Sequence, residues 1–151
     1  MKYSAGLLLY RFNKKELQVF LVHPGGPFWK NKDEGAWSIP KGEYTNDEDP
    51  LTAAKREFNE ETGIDIDGKF TPLKPVKQNP SKTVYAWAVE GDADAENIKS
   101  NTFLFEWPPK SGKKIMIPEV DKAAWFIIEE AAYKLIAGQV PLLYQLMELV
   151  K

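Results

Sequence analysis

The segment DPLTAAKREFNEETGI, from Asp49 to Ile64, constrains the fold more than any other part of the chain. Asp49 is a favourable N-cap, Pro50 fits the first helical position, and Gly63 fits the left-handed residue that follows a helix. Three apolar residues of the segment recur at the spacing of one buried helix face: Leu51, Ala54 and Phe58. The sequence therefore predicts a helix that begins at Pro50, ends before Gly63 and packs one face on a core.

Three glutamates lie unusually close together on this predicted helix. At roughly 100° per residue, Glu57, Glu60 and Glu61 fall within one arc, about a quarter-turn from the apolar face. Like charges at this spacing repel by roughly 0.2–0.5 kcal/mol per pair, and only Arg56 lies among them to offset the repulsion. One interpretation is a solvated acidic surface. The other is a site for Mg²⁺ or Mn²⁺, which prefer oxygen ligands and would offset the repulsion.

The spacing of the residues around the glutamates favours the metal site. Gly42 is followed after five residues by Glu48 and, after seven more, by the run REFNEETGI that begins at Arg56. This resembles the signature of the Nudix hydrolases, G-x5-E-x7-R-E-U-x-E-E-x-G-U, in which U is a bulky apolar residue, and every fixed position is filled. With residue frequencies of roughly 5–10% at each fixed position, a chance match in one register is below about one in ten million.

The resemblance implies both a fold and a reaction. The expected fold is α/β, an α/β/α sandwich with a mixed sheet and a loop-helix-loop signature, in one Nudix domain over residues 1–151. The expected reaction is Mg²⁺-dependent hydrolysis of a phosphoanhydride bond in a nucleoside diphosphate linked to another group. The segment WSIPKGE places Lys41 directly before Gly42. This combination resembles the Nudix hydrolases that act on dinucleoside polyphosphates such as diadenosine tetraphosphate. Nucleoside triphosphate hydrolysis and a non-catalytic, nucleotide-binding Nudix domain are the alternatives.

The resemblance also implies roles for individual residues. The metal ligands that it implies are Glu57, Glu60, Glu61 and the backbone carbonyl of Gly42. Glu57 also counts among the catalytic groups, together with Arg56. Because a guanidinium does not lose its charge, Arg56 is expected to orient neighbouring glutamates through forked hydrogen bonds. Glu48 is expected outside the direct metal ligands, and Phe58 and Ile64 are expected to pack only.

Further candidates lie outside the signature. Many family members take another carboxylate, as base or ligand, from a loop that follows the later strands. Glu119, six residues before Trp125, is the candidate here, and Asp121 is the alternative. Lys41 is the candidate for a phosphate contact. Trp37 is the candidate for stacking on a nucleobase, with Trp29 as an alternative, since an indole offers a broad apolar face.

The rest of the chain predicts strands before the helix and helices at the end, which suggests a mixed sheet covered on both faces. The predicted strands are AGLLLYRF and LQVFLVH, as a hairpin, followed by KTVYAWAVEG, NTFLFEW and VDKAAWFII. The predicted final helices are EEAAYKLIAG and VPLLYQLMELVK. Between the hairpin and the signature, PGGPFWKNKDEG predicts a long loop of the kind that is often functional. His23 ends the second strand and receives no function, because one histidine cannot form a metal site alone.

Composition excludes several classes of function. The chain has no cysteine, which excludes disulfides, thiolate metal sites and a cysteine nucleophile, and disfavours the isomerase branch of this fold. A net charge of −2 argues against strong nucleic-acid binding. Arg11 ends the first apolar run too early for a signal peptide, and no run reaches the roughly 18 apolar residues of a membrane helix. We therefore expect a cytoplasmic protein whose partner is a small nucleotide, with its oligomeric state left open.

Overall fold

The computed structural model describes the whole chain, Met1–Lys151, as nine β-strands and three α-helices. The strands are β1 Lys2–Asn13, β2 Glu16–Pro24, β3 Lys41–Glu43, β4 Thr71–Pro72, β5 Val76–Asn79, β6 Lys82–Glu90, β7 Thr102–Glu106, β8 Lys114–Pro118 and β9 Val120–Ile127. The helices are α1 Pro50–Thr62, α2 Ile128–Lys134 and α3 Val140–Leu149, and 3₁₀ turns occur at Ala95–Asn97 and Ala137–Gln139. This content confirms the predicted α/β class.

Seven of the strands form one mixed sheet. Its order is β4-β6-β1-β2-β9, while β3 pairs with β1 and β5 pairs with β6. Strands β1 and β6 are parallel, and the other pairs are antiparallel. The predicted hairpin of β1 and β2 is confirmed, with Tyr10 opposite Val19 and Asn13 opposite Glu16.

The segment that leads into the signature lies between β1 and β2, which diverge beyond their shared hairpin. Ser38 forms a bridge to Val22 on β2, and Lys41 pairs with Gly6 on β1. A Cβ atom added to Gly6 would lie 2.6 Å from the carbonyl oxygen of Pro40. A glycine is therefore required on β1 for this close approach, which lets β3 pair with β1 and places Gly42 opposite Ala5.

Helices cover both faces of the sheet, which confirms the predicted sandwich. On one face α1 contributes Phe58, whose ring lies 5.5 Å from that of Phe20 on β2 between centroids. On the other face, a larger cluster includes Leu142, Leu143 and Leu146 of α3. None of the helices combines the length and the apolar character that a membrane crossing requires.

Helix α1 begins and ends as the sequence predicts. The Asp49 side chain accepts a hydrogen bond from the Thr52 N–H at 3.0 Å, and Gly63 follows the helix with φ of 74°. The Gly63 N–H donates to the Asn59 carbonyl at 2.7 Å. Leu51, predicted to be buried with Ala54 and Phe58, is only partly buried, and the buried residues of α1 are Ala53, Ala54, Glu57, Phe58 and Thr62.

Strands β7 and β8 form a separate antiparallel hairpin outside the main sheet. The sequence predicted β7 but no strand at β8, where KIMIP is short and begins with the second of two adjacent lysines. Most residues of β8 are exposed and it pairs only with β7, so a buried alternating pattern does not develop. The hairpin leads directly into Glu119, which makes its position important for the site.

Candidate active site

The carboxylate of Glu57 lies against the backbone of Gly42. A Cβ atom built on Gly42 would fall onto that carboxylate. Gly42 is held in place by its pairing with Ala5 on β1, and Glu57 is held by the buried face of α1. A Cβ at position 42 would therefore force the Glu57 side chain out of its observed position, and the signature glycine leaves room for the carboxylate.

Three carboxylates converge here, and they come from two separate parts of the chain. One oxygen each from Glu57, Glu61 and Glu119 lies within 4.8 Å of the others. Glu57 and Glu61 are one turn apart on α1, whereas Glu119 lies between β8 and β9. Glu57 is 9% exposed and the other two are partly buried, so their charges are poorly screened by water.

Backbone hydrogen bonds fix Glu119 beside the two helix glutamates. Its N–H donates to the Asn101 carbonyl at 2.8 Å, and its carbonyl accepts from the Gly25 N–H at 3.1 Å. Asp121, the alternative from sequence, points elsewhere, and its carboxylate lies 2.8 Å from Nδ1 of His23. The structure thus brings Glu119, and not Asp121, into the carboxylate cluster.

Arg56 links the glutamates on the outer side of the cluster. Its Nε and Nη2 form a fork on Glu48, at 2.8 and 2.9 Å. Its Nη1 donates to Glu57 at 2.9 Å and to Glu60 at 3.0 Å. The hydrogen bonds between Arg56 and Glu48 are the main reason why the pKa of Arg56 is raised and that of Glu48 is lowered. Glu60 therefore lies beside the three-carboxylate cluster, and its role as a metal ligand stays a prediction.

Burial and mutual repulsion disfavour the ionised form of the clustered carboxyls. Burial is the main cause that raises the pKa of Glu57, Glu61 and Glu119. For Glu61 the pKa rises to about 8, with the charges of Glu57 and Glu119 adding to burial and that of Lys41 opposing it. Burial also lowers the pKa of the Lys41 ammonium. The cluster thus carries more negative charge than its surroundings solvate.

This donor set fits a hard divalent cation such as Mg²⁺ or Mn²⁺. Its side-chain donors are carboxylate oxygens, which these ions prefer, and the chain has no cysteine that would favour a softer metal. The glycine at position 42 leaves the backbone open on the side of the Glu57 carboxylate. A bound cation would also stabilise the ionised form of these carboxyls, which burial and mutual repulsion disfavour.

A cleft of about 210 Å³ opens over the cluster. Glu61, Glu119 and Lys41 line it, together with Trp29 and Gln78. Lys41 thus lines the cleft, and its backbone N–H donates to Glu61 at 3.3 Å, while its contact with phosphate stays a prediction.

Gln78 is a cleft residue that sequence reasoning missed. Its side-chain oxygen accepts a 3.0 Å hydrogen bond from the buried Gln139, which also donates to Ser38 Oγ at 2.9 Å. The side-chain amide oxygen of Gln139 accepts from the Ile39 N–H at 3.0 Å. Gln78 and Gln139 belong to no motif and are 61 positions apart, so no sequence signal marks the pair.

The structure contradicts the prediction that Trp37 stacks on a nucleobase. Trp37 is 4% exposed and belongs to the core between the sheet and the last two helices. Its ring packs edge-on against Phe126 and His23, and its indole N–H donates to Asp33 at 2.7 Å. An indole enclosed in this way has no free face, whereas Trp29 lines the cleft.

His23, to which the sequence assigned no function, anchors the loop that follows β2. The ring is fully buried, with Nδ1 2.8 Å from the Asp121 carboxylate and Nε2 2.6 Å from the Lys32 carbonyl. It joins β9 to the far end of the glycine-rich loop. His23 is therefore a structural residue that supports the cleft wall.

Comparisons with known proteins agree with the signature. The family model of the NUDIX domain matches residues 2–147. The fold is similar to that of a C. elegans Ap4A hydrolase in a binary complex, with a TM-score of 0.69, 21% identity, and coverage of 99% of this chain and 98% of that one. A comparison with curated proteins finds no match.

Two further solved structures have the same fold. The NUDIX domain of Shewanella oneidensis NrtR, complexed with ADP ribose, has a TM-score of 0.68 and 13% identity, over 99% of this chain and 88% of that one. A mutT/nudix family protein from Listeria innocua has a TM-score of 0.63 and 19% identity, over 99% and 93%. Because the family model covers almost the whole chain, the protein belongs to the Nudix family of hydrolases, which act on phosphorus-containing anhydrides.

Proposed function

We propose that the protein is a Mg²⁺- or Mn²⁺-dependent pyrophosphohydrolase that cleaves a phosphoanhydride bond of a nucleoside diphosphate linked to another group. The observation that carries this proposal is the cluster of Glu57, Glu61 and Glu119, two of whose members, Glu61 and Glu119, line a cleft together with Lys41. The cluster supplies anionic oxygens for a metal, and the lysine supplies a positive charge for a substrate. A polyphosphate chain needs both.

The residues that would hold the cation are Glu57, Glu61 and the carbonyl of Gly42, with Glu60 as a further candidate, and the neighbouring Glu119 carboxylate would be left for proton transfer. When bound, a divalent cation neutralises charge on the phosphate oxygens and favours attack by water at phosphorus. Arg56 has a positioning role, because it fixes Glu57 and Glu60 through hydrogen bonds of 2.9 and 3.0 Å. These bonds hold the carboxylates in place before substrate arrives, which is how preorganised sites lower a barrier.

Glu119 is the candidate for the proton acceptor. Its pKa is raised, mainly by burial, which brings the carboxyl closer to neutral pH, where a base is most effective. It joins the cluster from the junction of β8 and β9 rather than from α1, and it lines the cleft that substrate and water would enter. Lys41 contributes charge to the binding of phosphate.

Dinucleoside polyphosphates are the substrates that we favour. Their polyphosphate chain carries more charge than a triphosphate, and Lys41 is joined by the exposed Lys30 and Lys32 of the adjacent loop. The likeness over nearly the full length to the C. elegans Ap4A hydrolase supports the same choice. Against it, Asp33 and Glu34 lie in the same loop, and nucleoside triphosphates remain the competing class.

A substrate panel tests the proposal. We would measure kcat/KM for diadenosine tetraphosphate, ATP, dGTP and oxidised dGTP, each with Mg²⁺, with Mn²⁺ and with EDTA. We expect diadenosine tetraphosphate to exceed every triphosphate by about tenfold or more, a difference of about 1.4 kcal/mol in transition-state binding. EDTA should abolish turnover.

Two results would contradict the proposal at different levels. A preference for any triphosphate would replace the substrate class and leave the reaction intact. Turnover that persists in EDTA would show that hydrolysis does not depend on a divalent cation. The Glu57→Gln variant serves as the matched negative control for contaminating phosphatases.

A further inference from the structure

A second, apolar cavity lies beside the catalytic cleft, between the loop after β2 and the β7–β8 hairpin. Its volume is about 130 Å³. Phe28 and Trp29 line it from the loop, and Phe103, Phe105 and Ile117 line it from the hairpin. No charged side chain lines this space, which we call the hairpin cavity.

Strand pairing explains why the hairpin presents a continuous aromatic face. Phe103 pairs with Ile117, and Phe105 pairs with Ile115, so these side chains share one face. Leu104 and Met116 pair with each other and therefore lie on the opposite face, where they are 63% and 59% exposed. One face of the hairpin thus borders the cavity and the other borders solvent.

Two glycines bring the loop close to the hairpin. A Cβ atom on Gly26 would lie 2.6 Å from Cδ1 of Ile117, and one on Gly25 would fall onto the Pro118 carbonyl. The Gly25 N–H also donates to the carbonyl of Glu119 at 3.1 Å. The cavity is therefore built on the same backbone contact that positions the Glu119 carboxylate.

Trp29 lies at the boundary between the hairpin cavity and the catalytic cleft, because it lines both. The loop also places a positive charge at this boundary. Nζ of Lys32 lies 3.5 Å from the ring centroid of Phe28 and 5.2 Å from that of Trp29. A ligand that extends from the cleft into the cavity would thus pass from charged groups, beside a cation, to aromatic rings.

We propose that the hairpin cavity binds a nucleobase of the nucleotide substrate by stacking on aromatic side chains. This inference rests on the proposed function and adds a base subsite to it. A nucleotide has the matching order of groups, with anionic phosphates at one end and a flat aromatic base at the other. Aromatic side chains stack on any base, whereas discrimination between bases requires polar groups at the base edges.

The apolar lining makes a specific prediction about selectivity. No side chain in the cavity other than the Trp29 indole can form a hydrogen bond with a base. Adenine and guanine should therefore be accepted with kcat/KM values within about threefold of each other, because both purines stack similarly. A strong preference for one purine would contradict stacking as the mode of recognition.

Kinetics of hairpin variants test the base subsite. Phe103→Ala should raise KM for diadenosine tetraphosphate about tenfold with kcat changed by less than about twofold, as expected for loss of one stacking ring. Phe103→Tyr, which keeps the ring, should restore KM. Leu104→Ala is the matched control, because it removes an exposed side chain from the opposite face of the same strand.

A substrate without bases separates stacking from general damage. For diribosyl tetraphosphate, Phe103→Ala and the wild type should have equal KM values. The proposal would be overturned if Phe103→Ala raised KM equally for both substrates. It would also be overturned if Leu104→Ala raised KM for diadenosine tetraphosphate as much as Phe103→Ala does.

Binding of ADP, measured by isothermal titration calorimetry, tests the cavity independently of turnover. Phe103→Ala should weaken ADP binding about tenfold and Leu104→Ala should leave it unchanged. This result would support the base subsite even if the substrate panel fails to show hydrolysis. Equal ADP affinities of wild type and Phe103→Ala would refute the subsite even in an active hydrolase.

Discussion

The carboxylate of Glu57 lies so close to the backbone of Gly42 that a methyl group on Gly42 would displace it. We predict that Gly42→Ala lowers kcat on the order of a hundredfold, since small displacements of a catalytic group have effects of this size. Circular dichroism should show an unchanged fold. Steady-state kinetics check the prediction.

Gly91→Ala is the control for this substitution. Its added Cβ would meet only Cδ1 of Leu9, at 3.2 Å. It should therefore leave kcat nearly unchanged. A fully active Gly42→Ala protein would show that Glu57 does not need its observed position.

Neutralising the helix glutamates should separate activity from stability. Glu57→Gln and Glu61→Gln should each lower kcat several hundredfold, a loss of about 3–4 kcal/mol of transition-state stabilisation. In EDTA at pH 8, where Glu61 begins to ionise, their free energy of unfolding should stay equal or rise, because the substitution relieves like-charge repulsion. The exposed Glu96 is the control, and Glu96→Gln should change neither quantity. Full activity in both cluster variants would remove these residues from the metal site.

The raised pKa of Glu61 predicts how the stability of the metal-free protein depends on pH. In the unfolded state this carboxyl ionises near pH 4.5, whereas in the folded state it keeps its proton up to about pH 8. The folded state therefore binds more protons between these values, and the free energy of unfolding falls as pH rises through that window. The contribution of Glu61 is on the order of 3 kcal/mol.

Urea unfolding in EDTA at pH 5 and pH 8 measures this effect. The lowered pKa of Lys41 acts in the opposite sense, so the informative quantity is the difference between wild type and Glu61→Gln. The free energy of unfolding of Glu61→Gln, relative to that of the wild type, should be higher at pH 8 than at pH 5. Mg²⁺ should stabilise the wild type more at pH 8, because it binds the ionised carboxylates. If the free energy of unfolding changed equally with pH in the two proteins, this result would contradict the raised pKa of Glu61.

Glu119 and Asp121 should respond differently to loss of charge. Glu119→Gln should lower kcat more than it raises KM and flatten the acidic limb of the pH–rate profile, as expected for loss of a base. Asp121→Asn should mainly lower stability, by about 1–3 kcal/mol, because it weakens the contact with the buried His23. An unchanged pH–rate profile in Glu119→Gln would indicate that one of the signature glutamates, and not Glu119, is the base.

The sequence by itself determined the helix and the chemical character of the site. The caps at Asp49 and Gly63, and the spacing of the signature from Gly42 to Ile64, are local features. Local hydrogen bonds and a fixed helical period link such features directly to structure. For the same reason Glu57 and Glu61, one turn apart on α1, could be placed on one side of the helix before the fold was known.

Only the tertiary structure decided which residues complete the site. The choice of Glu119 over Asp121 depends on backbone bonds to Asn101 and Gly25, which are distant in sequence. The enclosure of Trp37 depends on packing of the last two helices on the sheet. Burial and long-range pairing arise from how the strands are ordered, and a single sequence does not encode that order in any local pattern.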